Sequence, residues 1–141
     1  VDVSLSGVKL EKLSPLVKGA LESSLSEISN KLEQTMKEEV PVRTGYLQAS
    51  ITKDVMGLEA RVGPTANYAG YVEMGTRPHL ITPVNATVLA WESPTGQAFA
   101  KFVRHPGTIP NPFMRRTREY VLKDFNLVFM ANWERVLGKA T

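Results

Sequence analysis

Residues 14–41 read Ser-Pro-Leu-Val-Lys-Gly-Ala-Leu-Glu-Ser-Ser-Leu-Ser-Glu-Ile-Ser-Asn-Lys-Leu-Glu-Gln-Thr-Met-Lys-Glu-Glu-Val-Pro. From Leu13 onward, Leu16, Val17, Ala20, Leu21, Leu25, Ile28, Leu32 and Met36 recur at steps of three and four. That period traces one apolar stripe on an amphipathic helix, and Lys18, Glu22, Ser26, Glu33 and Lys37 take the opposite face. Ser14 stands at the N-cap and Pro15 at the first helical position, where the missing N–H is no loss. Pro41 ends the run, because the residue before a proline avoids the helical region. The spacing predicts a helix over 15–39. Its apolar face needs another layer to bury against, which the remaining residues must supply.

Downstream, Pro41-Val42-Arg43-Thr44-Gly45 is a break, and Thr44 can cap a short helical turn over Tyr46–Ala49. Ser50–Met56 and Leu58–Val62 read as a hairpin about Gly57; Leu58, Ala60 and Val62 alternate with Glu59 and Arg61, as in a half-buried strand. Tyr68–Met74 reads as a short helix closed by Gly75. Residues 75–87 look extended. Val88–Trp91 and Ala98–Val103 are strand candidates joined by the polar turn 92–97. After a loop with Pro106-Gly107 and Pro110, Asn111 and Pro112 open a second long helix, with Phe113, Thr117, Tyr120, Val121, Phe125, Val128, Ala131 and Val136 on its apolar side and Gly138 at its end. Strands in a block between helices predict an α+β fold: two long amphipathic helices packed on one face of a mostly antiparallel sheet, with a short extra helix and extended loops. Residues 1–141 read as a single domain, with 1–12 as a candidate flexible N-terminal arm.

Composition narrows the function. The chain has 141 residues, 43% hydrophobic and 22% charged, which excludes low-complexity and collagen-like classes. No apolar run is long enough for a membrane span and no signal-peptide pattern opens the chain. The absence of cysteine removes disulfides, thiolate nucleophiles and cysteine zinc sites, and suits a reducing cytoplasm. The net charge is +3, graded along the chain from −2 over residues 1–40 to +3 over residues 111–141. This permits nucleic-acid contact without requiring it.

The side chains that could carry chemistry are few. His79 and His105 lie in separate proline-containing loops, without the close pairing a zinc site wants. Glu73 invites a catalytic reading as a single carboxylate, set against a local clamp of the turn before Arg77. The glycines form neither a phosphate loop nor a dinucleotide fingerprint. Arg115, Arg116, Arg118 and Lys123 could touch phosphates, or simply wet a helix. Tyr68, Tyr71 and Trp91 could stack bases, or pack in a core or interface.

Three stretches stand in order between the long helices: Pro41-Val42-Arg43-Thr44-Gly45-Tyr46-Leu47-Gln48-Ala49-Ser50-Ile51, Tyr68-Ala69-Gly70-Tyr71-Val72-Glu73-Met74-Gly75-Thr76, and His105-Pro106-Gly107 with Asn111-Pro112-Phe113-Met114-Arg115. Together they resemble the neck or tail-completion (head–tail joining) proteins of lambda-like long-tailed bacteriophages and prophages. The resemblance runs over about residues 10–130 and departs from shorter relatives at Ile81–Gln97. It implies a structural virion protein, not an enzyme, with no cofactor and no metal. Such a protein would form a homo-oligomeric ring of six or twelve subunits at the head–tail junction, completing the tail and joining it to the DNA-filled capsid. Its neighbours would be head-closure or connector proteins and tail-tube or tail-terminator proteins. It would assemble in the host cytoplasm, with non-specific contact to passing DNA and no membrane.

Within that reading the segments 75–87 and 104–112 are the expected intersubunit contacts, with Arg77, His79, Arg104 and His105 as interface residues. Arg115, Arg116, Arg118 and Lys123 are the expected DNA- or partner-facing set. The alternative is a small basic nucleic-acid-binding module of prophage origin, and a third reading is a hydrolase acting through Glu73.

Overall fold

The computed structural model of this chain describes residues 1–4 and 14–140. The expected arm falls outside the described residues over positions 5–12, as does Leu13. Contacts divide the chain into two compact units, residues 1–69 with 112–141, and residues 70–111.

In the first unit, α1 spans Pro15–Glu39, as its period predicts. Ser14 occupies the N-cap position, but its side chain makes no capping bond. The buried residues Ala20, Ser24, Leu25, Ile28, Ser29, Leu32 and Met36 spread over about 180° of the helix at 100° per residue. A face this wide serves two neighbours. The antiparallel strands β2 (Ile51–Met56) and β3 (Glu59–Pro64) lie against α1, and β1 (Asp2–Ser4) adds to the far side of β3, giving the order β1-β3-β2. In β3, Ala60 and Val62 point inward while Glu59 and Arg61 point to solvent. The short α2, Tyr46–Ala49, places Leu47 in the core and ends on β2.

The expected second long helix is two helices, α4 (Phe113–Leu122) and α5 (Phe125–Ala140), and both pack along α1. The chain turns at Lys123-Asp124, where Lys31 on α1 holds the Asp124 carboxylate at 2.5 Å. α1 therefore contacts both the sheet and the α4–α5 pair, instead of packing on the sheet beside a single partner helix. Asn111 is not the cap: Pro112 takes that position and the Asn111 N–H donates to Val72 O, 2.9 Å. Gly138 lies inside α5 and does not stop it. Phe113, Thr117 and Val121 are the buried side of α4. On α5, Asn132 is buried and fixes the pairing with α1: its Nδ2 donates to Glu27 and to Val128 O, both at 3.0 Å, and Arg135 donates to its Oδ1.

The second unit is made of ribbons. α3 (Ala69–Met74) leads into it. β4 (His79–Ile81) pairs antiparallel with β7 (Val103–His105), and β5 (Leu89–Ser93) with β6 (Gly96–Ala100). One mostly antiparallel sheet was expected; the described residues form three small antiparallel sheets. The β5–β6 turn is only Pro94-Thr95, so Glu92, Ser93, Gly96 and Gln97 are ladder residues and not a loop.

Candidate assembly surface

All the buried residues found among the described positions lie in the first unit; none of residues 70–111 is buried. An isolated two-stranded ribbon is marginal in water, because ordering its backbone is not offset by buried apolar area. What holds this unit locally is its base. Thr76 and Thr108 exchange both backbone hydrogen bonds at 3.1 Å, and their hydroxyls are 3.1 Å apart. The flanking Gly75 and Gly107 have φ of +71° and +88°. A Cβ on Gly75 would stand 2.4 Å from Thr108 O, and one on Gly107 2.3 Å from Thr76 O. Only glycine lets the two strands approach this closely.

The β4–β7 register sets His79 directly opposite His105, with ring centroids 5.0 Å apart and planes 30° from parallel. His79 Nδ1 lies 2.9 Å from Arg77 O; a carbonyl only accepts, so this nitrogen carries its proton. The Gly107 N–H donates to His105 Nδ1 at 3.0 Å, so that nitrogen carries a lone pair. Two histidines that sequence spacing left far apart are thus one stacked pair, held by opposite states of Nδ1. Arg104 pairs with Leu80, one position along, and so projects from the other face of the ribbon. Of the four expected interface residues, the ribbon joins His79 and His105, borrows the backbone of Arg77, and turns Arg104 away.

In the β5–β6 hairpin, Leu89 and Trp91 stand opposite Ala100 and Ala98, forming one face that is apolar up to Ser93 at the turn; Ala90 and Phe99 share the other with Glu92 and Gln97. Phe99 is 61% exposed, and Val84 and Ile109 are over 90% exposed. Sequence reading missed Phe99 and Phe102 as surface residues. The available signal was apolar residues on both faces of a hairpin that had no helix of its own to cover either.

The basic set on α4 is divided. Arg116 donates to Glu39 of α1 at 3.1 Å and belongs to that interhelical contact. Arg115 and Arg118 lie about 60° apart around the helix, whereas Lys123 sits past its end; all three are exposed. Beside Arg116, α1 and α4 border a groove of about 550 Å³ that includes Lys31, Glu38, Thr117 and Tyr120. Thr117 Oγ1 is buried there without a hydrogen-bond partner. Tyr68 is stacked on Tyr46 at 6.2 Å, and Trp91 belongs to the hairpin face. Glu73 lies half-buried on α3. Among the described residues no group of three or more His, Cys, Asp or Glu could hold a metal ion, and no helix is long and apolar enough to cross a membrane.

These features define an α+β protein with two small ribbons, one of them largely apolar, in a unit over 70–111 that has no buried residue. Residues 8–75 match the HK97-gp10-like family, described as "Bacteriophage HK97-gp10, putative tail-component". Over those residues the chain is thus similar to a phage tail-component family, in keeping with the neck and tail-completion resemblance of its motifs. The match takes in the Pro41–Ile51 motif and all but the last residue of the Tyr68–Thr76 motif; the third motif and the ribbons lie beyond it. No curated protein and no solved structure matches the chain.

Proposed function

We propose that this chain is a structural, non-catalytic subunit of the phage neck. Copies assemble into a ring at the head–tail junction, of six or twelve subunits, that completes the tail and joins it to the DNA-filled capsid. The ring meets head-closure or connector proteins on one side and tail-tube or tail-terminator proteins on the other. It is assembled in the host cytoplasm and carried in the virion. The observation that carries this reading, beside the tail-component family match, is the unit over 70–111 with no buried residue. Among its large apolar side chains, Val84, Phe99, Phe102 and Ile109 are more than half exposed, and an interface between copies would cover such side chains. Identical subunits that contact one another head to tail close into a ring when the rotation per subunit closes.

In this reading Arg77, His79, Arg104 and His105 serve the intersubunit contact, with Arg104 working from the opposite ribbon face. Arg115, Arg118 and Lys123 face DNA or a partner, and Arg116 holds α4 to α1. Native mass spectrometry over a concentration series tests the assembly, and a discrete six- or twelve-fold species is expected. Reversing Arg77 and Arg104 together should abolish that species with circular dichroism unchanged. A chain monomeric at every concentration that binds duplex DNA in a steeply salt-dependent way would instead establish the alternative, a basic nucleic-acid-binding module, which the exposure of Arg115, Arg118 and Lys123 favours.

A further inference from the structure

α5 packs on α1 with one face only. Around it at 100° per residue, Phe125, Asn132 and Val136 cluster on the inner side, while Leu127, Met130, Glu134 and Leu137 fall within about 80° of one another on the outer side. Their 3-4-3 spacing makes a continuous stripe of three turns. Leu127 is 72% exposed, Met130 52% and Leu137 43%, with the exposed carboxylate of Glu134 among them. A helix face of this kind is the surface that helix packing ordinarily covers.

The second unit offers a complementary surface. Within residues 98–104, Phe99, Lys101, Phe102 and Arg104 are all exposed, so two aromatic rings alternate with two cations. We propose that this aromatic–basic segment of one copy docks on the outer face of α5 in the next copy, Phe99 and Phe102 covering Leu127, Met130 and Leu137 while Lys101 and Arg104 flank Glu134. This rests on the ring reading above and assigns its two contacting surfaces. Charge favours this receptor over an exposed aromatic pair. Tyr46 and Tyr68, stacked on one another in the first unit, stand in sequence beside the cation Arg43, which would set like charge against residues 98–104. The α5 face sets an acid against it, and desolvating the rings beside an opposite charge adds attraction. The two surfaces differ, so the contact is heterologous and propagates from copy to copy, as a ring requires.

Two variants of the full chain test the assignment: an arm variant, Phe99→Asp with Phe102→Asp, and a face variant, Leu127→Asp with Met130→Asp. All four positions are exposed, so circular dichroism and thermal melting of each should match the parent. Native mass spectrometry should show each variant alone as a monomer, its assembly weakened at least about a hundredfold. Mixed one to one they should form a discrete heterodimer, because the arm variant keeps its α5 face and the face variant keeps its arm, leaving one intact junction. If the face variant assembles like the parent, α5 is not the receptor and the docking is overturned while the ring stands. If both variants are monomers and their mixture stays monomeric, the two surfaces do not meet and the docking is likewise overturned. If the unaltered chain forms no oligomer, the ring reading itself falls, and the docking with it.

Discussion

Gly75 and Gly107 carry the most local consequence in the chain. Each pairs a left-handed φ with a carbonyl oxygen where a Cβ would be, so substitution there has no relaxed alternative. Gly107→Ala should cost the ribbon base more than about 1 kcal/mol. Hydrogen exchange should show protection lost at the Thr76 and Thr108 amides, with the α1 amides unchanged. A different residue-scale effect attaches to Glu33. Its carboxylate accepts from Lys37 at 2.7 Å and lies 3.3 Å from Lys53 on β2. The Lys37 hydrogen bond, set against desolvation and helped by Lys53, holds its pKa below the ordinary 4.5. A depressed carboxyl pKa stabilises the fold above the unfolded value, and that stabilisation is lost as the pH falls through the folded one. Glu33→Gln should therefore lower stability by under about 1 kcal/mol at pH 7, as befits a partly exposed pair. The gap to the parent in denaturant titrations should close as the pH falls below 4.5.

Among the elements, the bounds of α1 were legible because its stripe, Pro15 and Pro41 agree; its buried face also takes in Ser24 and Ser29, while Leu16 of the stripe is exposed. α4 and α5 were not separable by period, since the apolar pattern runs on through Lys123-Asp124; at that turn the structure pairs Asp124 with Lys31, 93 residues away in sequence. The same helix pair contains the buried Asn132 knot. Asn132→Ala should leave Glu27 without its Asn132 partner and Arg135 without its acceptor, and cost about 1–3 kcal/mol by thermal denaturation. Phe113→Ala, removing the largest fully buried side chain among the described residues, should cost about 3–5 kcal/mol. The β5–β6 strands were half legible. Polarity marked 92–97 as a turn, but a two-residue turn suffices, and cross-strand pairing recruits the polar residues into the ladder.

At the level of the whole molecule, the two units should respond differently to attack. A protease at low ratio should cut first within 82–102, where backbone bonding is confined to ribbons and turns and no side chain is buried. In the assembled ring those sites should be protected, and mass mapping of early fragments in the two states checks it. If the early cuts fall instead in α4 or α5, the coreless unit is the more stable one and its need for a covering partner disappears.

By itself the sequence determined the features that depend on near neighbours: the long helix 15–39, the α2 turn, the β2–β3 hairpin, and the first two motifs, which fall almost wholly within the tail-component match. Only the tertiary structure decided which distant residues share a surface. It stacked His79 on His105, drew Arg116 to Glu39, broke the last helix, and left the residues of 70–111 without a core. The physical reason is that period and propensity report how a residue relates to those within a turn or a hairpin. Burial, pairing across tens of residues and an uncovered apolar face are properties of which elements meet, and no local pattern encodes a covering layer that the fold does not supply.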